Sequence, residues 1–394
     1  MIFNKETIKY KTELLDNIEK SQNILHGVLE KNLNCEYTLQ KIERPWNPGG
    51  GCTLFECKTK ENHFFLKVKS ENCKVESKLE SEDQWIDEPA LKHEAFMLGK
   101  IKNSFVPQLI FFEISGGFQF LAIEWLVPFE KAIESFDIDE TVNVWDKISE
   151  ITKDLFERDI VHTDIHEKNI CFRNTIPVLC DFEEARILKQ NCSFAKSLDV
   201  VGENKYGNVG EFPINYGVKG KSCLERLKNV FQEIISRKLI SFLEDCEFSC
   251  DCEFNKDILQ EPDKRIYQPI SINGKLFSGQ RIESNYRYMV IEKVIKYFSK
   301  LNHSKLNYLD IGCNMGRFCI RMSKLPTVAK SFGVDAFKNY ITSAKALAFL
   351  DKTACNVQFA TIICGEDKLQ NIIPQADIIS VLSVYHHIEK RRNF

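Results

Sequence analysis

Two stretches of the chain carry residue types whose spacing suits chemistry. Over 160–170 the sequence reads IVHTDIHEKNI, and over 178–183 it reads VLCDFE. Asp164 and Asn169 stand five apart, and Asp181 follows twelve residues after Asn169 at the end of an apolar run. Moving a phosphoryl group from ATP to a hydroxyl needs a carboxylate to orient the acceptor. It also needs oxygen ligands for Mg²⁺, because the transition state is stabilised chiefly by positioning and electrostatics. Asp181, at the end of the apolar run, is placed to hold the metal. Asp and Asn are common in turns, so the residue types alone mean little. Their spacing and the strand-like runs around them single them out.

The second stretch is YLDIGCNMGRF over 308–318, a strand, a turn of small residues and a helix start. Small residues let backbone approach a ligand, and a helix start offers unpaired N–H groups. Taken alone, such a loop serves NAD or many other ligands. Asp310 opens the turn, Gly312, Asn314 and Gly316 form it, and Asp335 ends the next apolar run.

These residues need elements to hold them. Residues 5–33 read as one helix, with Leu14, Leu15, Ile18, Leu25, Val28 and Leu29 near helical spacing, for packing or self-association. From Tyr37 the pattern becomes strand-like: YTLQKIE, CTLFECKTK and HFFLKVKS, separated by turn-rich segments. A helix is predicted over 88–101, with Leu91, Ala95, Leu98 and Ile101 on one stripe. Two apolar strands joined at Gly116 and Gly117 follow, and then an amphipathic helix over about 139–159. Two short strands and further helix reach about 245. The segment 246–276, with Cys246, Cys250, Cys252, Pro262, Pro269 and Gly274, reads as a linker. Beyond it, a helix over 285–300 leads into strand–helix alternation, which predicts a parallel sheet. The expected layout is a helix over 1–33, an α+β domain over 34–245, the linker, and an α/β domain over 277–394.

The pattern His-x-Asp-x-His-x-x-Asn followed by Asp-Phe-Glu resembles the protein-kinase-like fold across roughly 37–245. It is closer to aminoglycoside phosphotransferases and choline kinases than to protein kinases, which usually carry Lys where His166 stands and Gly where Glu183 stands. The resemblance implies a bilobal α+β domain. Asp164 would be its catalytic base, Asn169 and Asp181 its Mg²⁺ ligands, and His162 a brace for the loop. Lys67 would grip ATP phosphates with Glu94 as its ion-pair partner. Lys69, on the same face of the strand, and Glu88 are rivals for those roles. Glu124, Trp125 and Leu126 match the hinge that binds adenine through backbone groups. The turn at Gly49, Gly50 and Gly51 would cover phosphates, although it lacks the G-x-G-x-x-G order. Segment 199–210 follows Asp181 where kinases carry a substrate-facing loop, and an ordinary surface loop reads equally well.

The loop over 308–318, with Asn314 where a glycine is usual, and Asp335 resemble motif I and the ribose-binding acid of class I S-adenosylmethionine-dependent methyltransferases. That resemblance implies a Rossmann-like α/β domain. Glu366, beside Asp367, would contact adenine, and VYHHI over 384–388 would face the transferred methyl. His386 and His387 read either as a base near the acceptor or as polar surface. Gln280, Arg281 and Arg287 lie where such enzymes often close a helix over the cofactor. Phe394 comes just after the fourth strand of a fold that normally has seven, so the C-terminal strands are missing. The expectation is a shortened chain or a domain completed by another chain, with an apolar edge and face exposed.

A pairing of this kind resembles the bacterial kinase–methyltransferases that cap polysaccharide chain ends, with the domain order reversed. It implies ATP, Mg²⁺ and S-adenosylmethionine, and a hydroxyl of a sugar, glycan or other small molecule as acceptor, with methylation of the phosphorylated product. Two other readings stay open: a nucleotide-binding pseudokinase with a cofactor sensor, and a protein kinase acting on Ser or Thr. Bulk properties fit any of the three. With 394 residues and domains of about 150, two or three cores are expected. Hydrophobic residues at 43% and charged residues at 28% exclude wholesale disorder. A net charge of −3 gives no reason to invoke nucleic acid. No apolar run is long enough to span a bilayer, and the N-terminus has no apolar leader. Fifteen scattered cysteines suit reduced thiols in the cytoplasm, and Cys246, Cys250 and Cys252 with Cys223 make only a weak metal pattern.

Overall fold

A computed structural model describes residues 23–42, 52–72, 90–162, 164–187, 223–245, 270–277, 285–351, 354, 356–362 and 375–382. The chain divides into two compact units. One takes residues 1–135 and 144–229, the other 136–143 and 230–394.

The first unit opens with helix α1 (23–33) and an antiparallel sheet of β1 (Tyr37–Ile42), β2 (Cys52–Thr59), β3 (His63–Ser70), β4 (Leu109–Ser115) and β5 (Phe118–Glu124). The strand order is β1-β2-β3-β5-β4. Gly116 and Gly117, with φ of 56° and 82°, make the two-residue turn between β4 and β5. Such tight hairpins need positive φ at both positions, which glycine adopts without steric cost. The apolar side of α1 is spent on packing: Leu25, Val28 and Leu29 join Phe55, Phe64, Leu66 and Phe120 in one core. Each such side chain, fully enclosed, contributes about 1.5–3 kcal/mol.

Helix α2 (Ala90–Ile101) buries the expected stripe of Leu91, Ala95, Leu98 and Ile101. Buried Gln119 of β5 fixes its start. The side-chain oxygen accepts hydrogen bonds from the N–H groups of Leu91 at 2.9 Å and Lys92 at 3.3 Å, while its amide donates to the Ser70 carbonyl at 2.9 Å. That one contact anchors the helix to the sheet and satisfies orphan helix donors.

Next come β6 (Val127–Pro128), α3 (Phe129–Ser135), α4 (Ile138–Glu157) and β7 (Ile160–Val161). A 3₁₀ turn (Glu167–Asn169) leads into β8 (Ile170–Arg173) and β9 (Ile176–Leu179), and a second (Phe182–Glu184) leads into β10 (Arg186–Ile187). Strands β6, β8 and β9 form one small sheet, and β7 pairs with β10. Helix α5 (Cys223–Asp245) follows.

The second unit contains the β11 (Ile270–Ile272) and β12 (Lys275–Phe277) hairpin, α6 (Asn285–Asn302), β13 (Leu306–Ile311), α7 (Arg317–Ser323), β14 (Val328–Asp335), α8 (Lys338–Leu350), β15 (Val357–Thr361) and β16 (Ile378–Val381). Its sheet is parallel, in the order β15-β14-β13-β16. The unit is not one stretch of sequence. Ile138 and Val142 from the start of α4, and Ile235, Leu239 and Leu243 from α5, share a core with Ile270, Ile272, Met315 and Ala346. Asp139 accepts hydrogen bonds from Thr342 Oγ1 at 2.6 Å and Lys345 Nζ at 3.0 Å. Residue 245 is therefore not where contacts divide the chain, because the apolar face of α5 is buried in the second unit from residue 230 onward.

The expected linker is also shorter than its composition suggests. Residues 270–276 belong to a hairpin turned by Asn273 and Gly274, both at positive φ, and its Ile270 and Ile272 are buried. On α6, Tyr286, Met289, Tyr297 and Leu301 are exposed, as are Ile379 and Val381 of β16. Among the described residues, Cys35, Cys52, Cys57, Cys171, Cys180, Cys313 and Cys319 form no disulfide. No helix among the described residues is long and apolar enough to cross a membrane.

Candidate active site

In the first unit, alternation along β3 puts Lys67 and Lys69 on one face of the strand. Lys67 Nζ donates to Glu94 Oε1 at 2.9 Å, Glu94 Oε2 at 2.7 Å and Asp181 Oδ1 at 3.0 Å. Lys69 pairs instead with Glu183. Geometry thus separates two lysines that the sequence left as rivals: Lys67 joins the helix α2 carboxylate, and Lys69 has a partner of its own. Glu88 lies outside the described residues.

Burial works against charge on Lys67, but Asp181, Glu94 and Glu183 more than offset it and hold the ammonium well above its ordinary value. Burial likewise opposes ionisation of Asp181, yet Lys67 and Lys69 bring it down to about 2. The exposures differ in a way that decides roles. The side chain of Glu94 is 0% exposed and that of Lys67 11%, whereas Asp181 is 41% exposed. Glu94 and Lys67 are buried, and Asp181 is the member of this cluster that reaches solvent.

Asp181 sits at the end of the β9 segment with φ 68° and ψ 65°, in the left-handed region. That conformation costs an L-residue about 1–2 kcal/mol, less for Asp than for most. Surrounding contacts hold it there. His162 Nε2–H donates to the Cys180 carbonyl at 2.9 Å, and its ring edge packs on Phe182 with centroids 4.5 Å apart. The Cys180 N–H donates to the Asn169 carbonyl at 2.8 Å. Burial lowers the pKa of His162, so the ring is neutral and serves as a brace between the two loops.

Asp164 and Asn169 meet directly. Asn169 Nδ2 donates to Asp164 Oδ2 at 3.0 Å and to the Asp164 carbonyl at 3.1 Å. This use of the amide nitrogen leaves Asn169 Oδ1 as the atom for a cation. His166 bridges the turn: its Nδ1 accepts the Lys168 N–H at 3.1 Å, and its Nε2 lies 3.3 Å from Asp164 Oδ2. Burial opposes ionisation of Asp164, but the His166 contact lowers its pKa below the ordinary carboxylate value. Asn169 Oδ1 and the Asp181 carboxylate are oxygen ligands of the kind Mg²⁺ takes, Asn169 buried and Asp181 partly exposed. Oxygens of Glu94, Asp181 and Glu183 also lie within 4.8 Å of one another, but Glu94 is bound by Lys67.

Glu124 and Leu126 flank Trp125 after β5. The Glu124 carboxylate is taken by Arg173, whose Nε donates at 3.1 Å, and by the Gln108 N–H at 2.7 Å. The Glu124 N–H donates to the Gln108 carbonyl at 3.0 Å, and the Trp125 N–H to the His63 carbonyl at 3.2 Å. Arg173 also donates to the Ser104 carbonyl at 2.6 Å. Sequence reasoning missed this clamp, since nothing near Arg173 points to Glu124.

The second unit gathers Asp310, Gly312, Asn314, Gly316 and Asp335 at the ends of β13 and β14. Gly312, Asn314 and Gly316 have φ of 75°, 52° and 73°, so the loop coils tightly into α7. A Cβ at Gly316 would come within 2.4 Å of Phe359 and 2.9 Å of Ala344, so only glycine fits. Asp335 accepts the Asn314 N–H at 2.8 Å and the Phe337 N–H at 3.1 Å, one on each oxygen. The Ala336 N–H also lies close enough to favour the ionised form of Asp335. Asp310 accepts from Ser380 Oγ at 2.5 Å, and Tyr308 Oη lies 2.6 Å from the same hydroxyl. Burial pushes Asp310 up to about 7, against the Ser380 hydrogen bond and with help from Asp335. Asp335 is raised by burial too, against its backbone donors. Ser380 was not singled out by the sequence.

Glu366, Gln280, Arg281, His386 and His387 lie outside the described residues, as do Gly49, Gly50 and Gly51, segment 199–210, and Cys246, Cys250 and Cys252. No protein-family model matches the chain, and no curated protein matches it.

Proposed function

We propose that the chain is an ATP-dependent phosphotransferase acting on a hydroxyl of a sugar, glycan or other small molecule, joined to an S-adenosylmethionine-binding methyltransferase unit that acts on the phosphorylated product. In this reading the first unit is protein-kinase-like, the second is Rossmann-like, and the free thiols suit a cytoplasmic setting. The observation that carries it is the Lys67–Glu94–Asp181 ion-paired cluster beside the Asp164–Asn169 pair.

The chemistry follows from the side chains. Asp164, kept ionised, orients the acceptor hydroxyl and takes its proton as the acceptor oxygen bonds to the γ-phosphorus and the bond from that phosphorus to the departing ADP oxygen breaks. Lys67, fixed by Glu94, presents an ammonium to nucleotide phosphates. Main chain at 124–126 receives the adenine. Asn169 and Asp181 would hold Mg²⁺, which when bound neutralises charge on the phosphates. In the second unit, the Asp335 oxygens suit a ribose diol, and the glycine loop lets backbone approach the cofactor, which when bound supplies an activated methyl group.

The test is ATP turnover with Mg²⁺ against a panel of sugars, glycans and proteins, in the wild type and in Asp164→Ala. Turnover on small hydroxyl acceptors, lost in the variant, is expected. ATP binding without turnover in either protein would favour a pseudokinase, and phosphate appearing on Ser or Thr would favour a protein kinase. Calorimetry with S-adenosylmethionine tests the second unit, where absence of binding would refute the cofactor assignment.

A further inference from the structure

Strand alternation and register put three polar side chains on one buried face of the parallel sheet. Tyr308 and Asp310 are two apart on β13, and Ser380 of β16 stands opposite Asp310. Tyr308 is 1% exposed, Asp310 2% and Ser380 8%. Their oxygens form a line: Tyr308 Oη lies 2.6 Å from Ser380 Oγ, which lies 2.5 Å from Asp310 Oδ1.

Counting hydrogens gives this line a direction. Tyr308 and Ser380 each own one hydroxyl hydrogen. Burial keeps the Tyr308 hydroxyl protonated, so it can donate. Both hydrogens are used along the line only when Tyr308 donates to Ser380 and Ser380 donates to Asp310. A proton on Oδ1 would reverse the second bond and turn the Ser380 hydrogen toward Tyr308 or toward the Leu309 carbonyl, 3.5 Å away. Oδ1 is therefore a fixed acceptor. A proton bound by Asp310 belongs on Oδ2, which takes no hydrogen bond among the described residues. Linked hydrogen bonds polarise one another, which strengthens the last one in the line.

Asp310 lies near the C-terminal end of β13, two residues before Gly312, the end at which parallel sheets take their ligands. Among the described residues its titratable neighbours are Asp335 of β14, Tyr308 of β13, Cys313 of the loop and Cys319 of α7. Burial keeps the phenol and both thiols neutral, so Asp335 is the neighbour that acts on Asp310 by charge. Burial and then Asp335, against the Ser380 hydrogen bond, bring the Asp310 titration up to about 7. Near neutral pH the free protein thus holds about half a proton there.

We propose, on the S-adenosylmethionine reading of this unit, that Ser380 and Tyr308 are positioning residues, holding Asp310 so that Oδ2 gives up its proton to solvent when a ligand brings a positive charge beside it. Affinity for such a ligand rises with pH and levels off above the Asp310 titration.

The experiment is calorimetric titration of the full chain with S-adenosylmethionine, in phosphate and in imidazole buffer, whose ionisation heats differ. The wild type is expected to release close to one proton per ligand at about pH 6 and about half at about pH 7. Ser380→Ala should weaken binding about tenfold or more at neutral pH, the scale for losing a charged hydrogen bond. Tyr308→Phe should weaken it less, and Ser380→Thr, which keeps the hydroxyl, should bind as the wild type does. A second measurement needs no ligand. Without Ser380 the carboxylate is harder to form, so in Ser380→Ala the decline of denaturation midpoint with rising pH should extend beyond about 7. Binding to the wild type with heats that do not depend on the buffer would overturn the proposal. So would a Ser380→Ala variant with wild-type affinity and an unmoved pH profile. Absence of binding to the wild type would instead refute the cofactor reading, and the ligand-free profile would then decide whether Ser380 acts on Asp310.

Discussion

The two candidate sites both rest on buried carboxylates, but they treat the charge in opposite ways. In the first unit, Lys67 and Lys69 sit among Glu94, Asp181 and Glu183; Asp181 is driven down to about 2, while burial pushes Glu94 up to about 7 against the pull of Lys67. In the second, Asp310 and Asp335 meet only hydroxyl and backbone donors among the described residues, and burial raises both. A site that pre-assembles cations and ionised carboxylates is ready for a polyanion with its metal. A site of carboxylates without a resident cation suits hydroxyl groups and a ligand that brings positive charge, as a sulfonium does. The lesson is that resident lysines, rather than burial of carboxylates as such, separate the two sites, since burial raises Glu94 in the first as it raises Asp310 in the second.

The comparison can be broken most sharply at Lys67. Lys67→Met leaves Glu94 enclosed with its partner gone and should cost about 3–5 kcal/mol of stability, read by chemical denaturation. The double variant with Glu94→Gln should regain much of that stability without regaining phosphotransfer. If the single variant is as stable as the wild type, the cluster is not the paired charge site described here. Next in size, Asp164→Asn should lower the phosphotransfer rate by about 10²–10⁴-fold, with little change in melting temperature. An unchanged rate would remove Asp164 from its role.

Asp335→Asn probes the other side of the comparison. Asn leaves one of the two backbone N–H groups facing a donor, so stability should fall by about 1–3 kcal/mol, less than for Lys67→Met, while affinity for S-adenosylmethionine measured by calorimetry should fall. A fall in stability comparable to that of Lys67→Met would erase the distinction between the sites. A further effect is the pH dependence of stability. A carboxyl raised in the folded state favours the protonated form, so the contribution of Asp310 falls as pH rises from about 3.9, the unfolded value, to about 7. Asp181 behaves in reverse: its contribution is present above about 3.9 and is lost as pH falls toward 2. Asp310→Asn should therefore flatten the decline between pH 4 and 7 in denaturation midpoints, and an unaltered slope would count against a shifted Asp310.

Local spacing made much of this legible. The 160–183 pattern placed Asp164, Asn169 and Asp181 in one neighbourhood, and the stripe on 88–101 gave the buried face of α2. What stayed illegible was pairing between distant segments. Period-two alternation puts Lys67 and Lys69 on the same face, so only the placement of α2 assigns Glu94 to one of them. Arg173 and Glu124 are 49 residues apart, and Ser380 and Asp310 are 70 apart; neither pair has a local signature. The 270–277 hairpin escaped because its strands are three residues each, too short for a periodic signal. The Asn273–Gly274 dipeptide was the available clue.

The discontinuity of the second unit also bears on how the chain folds and how it can be cut. Asp139 and Thr342 are 203 residues apart, yet they share a hydrogen bond inside one unit. During synthesis, 136–143 waits for partners that emerge some two hundred residues later, and such long loop closures slow folding. A fragment starting at 277 would lack Ile138, Val142 and the α5 residues that complete its core. Severing the backbone within 246–269 need not release two independent bodies, because 136–143 belongs to the second unit but lies on the N-terminal side of the cut.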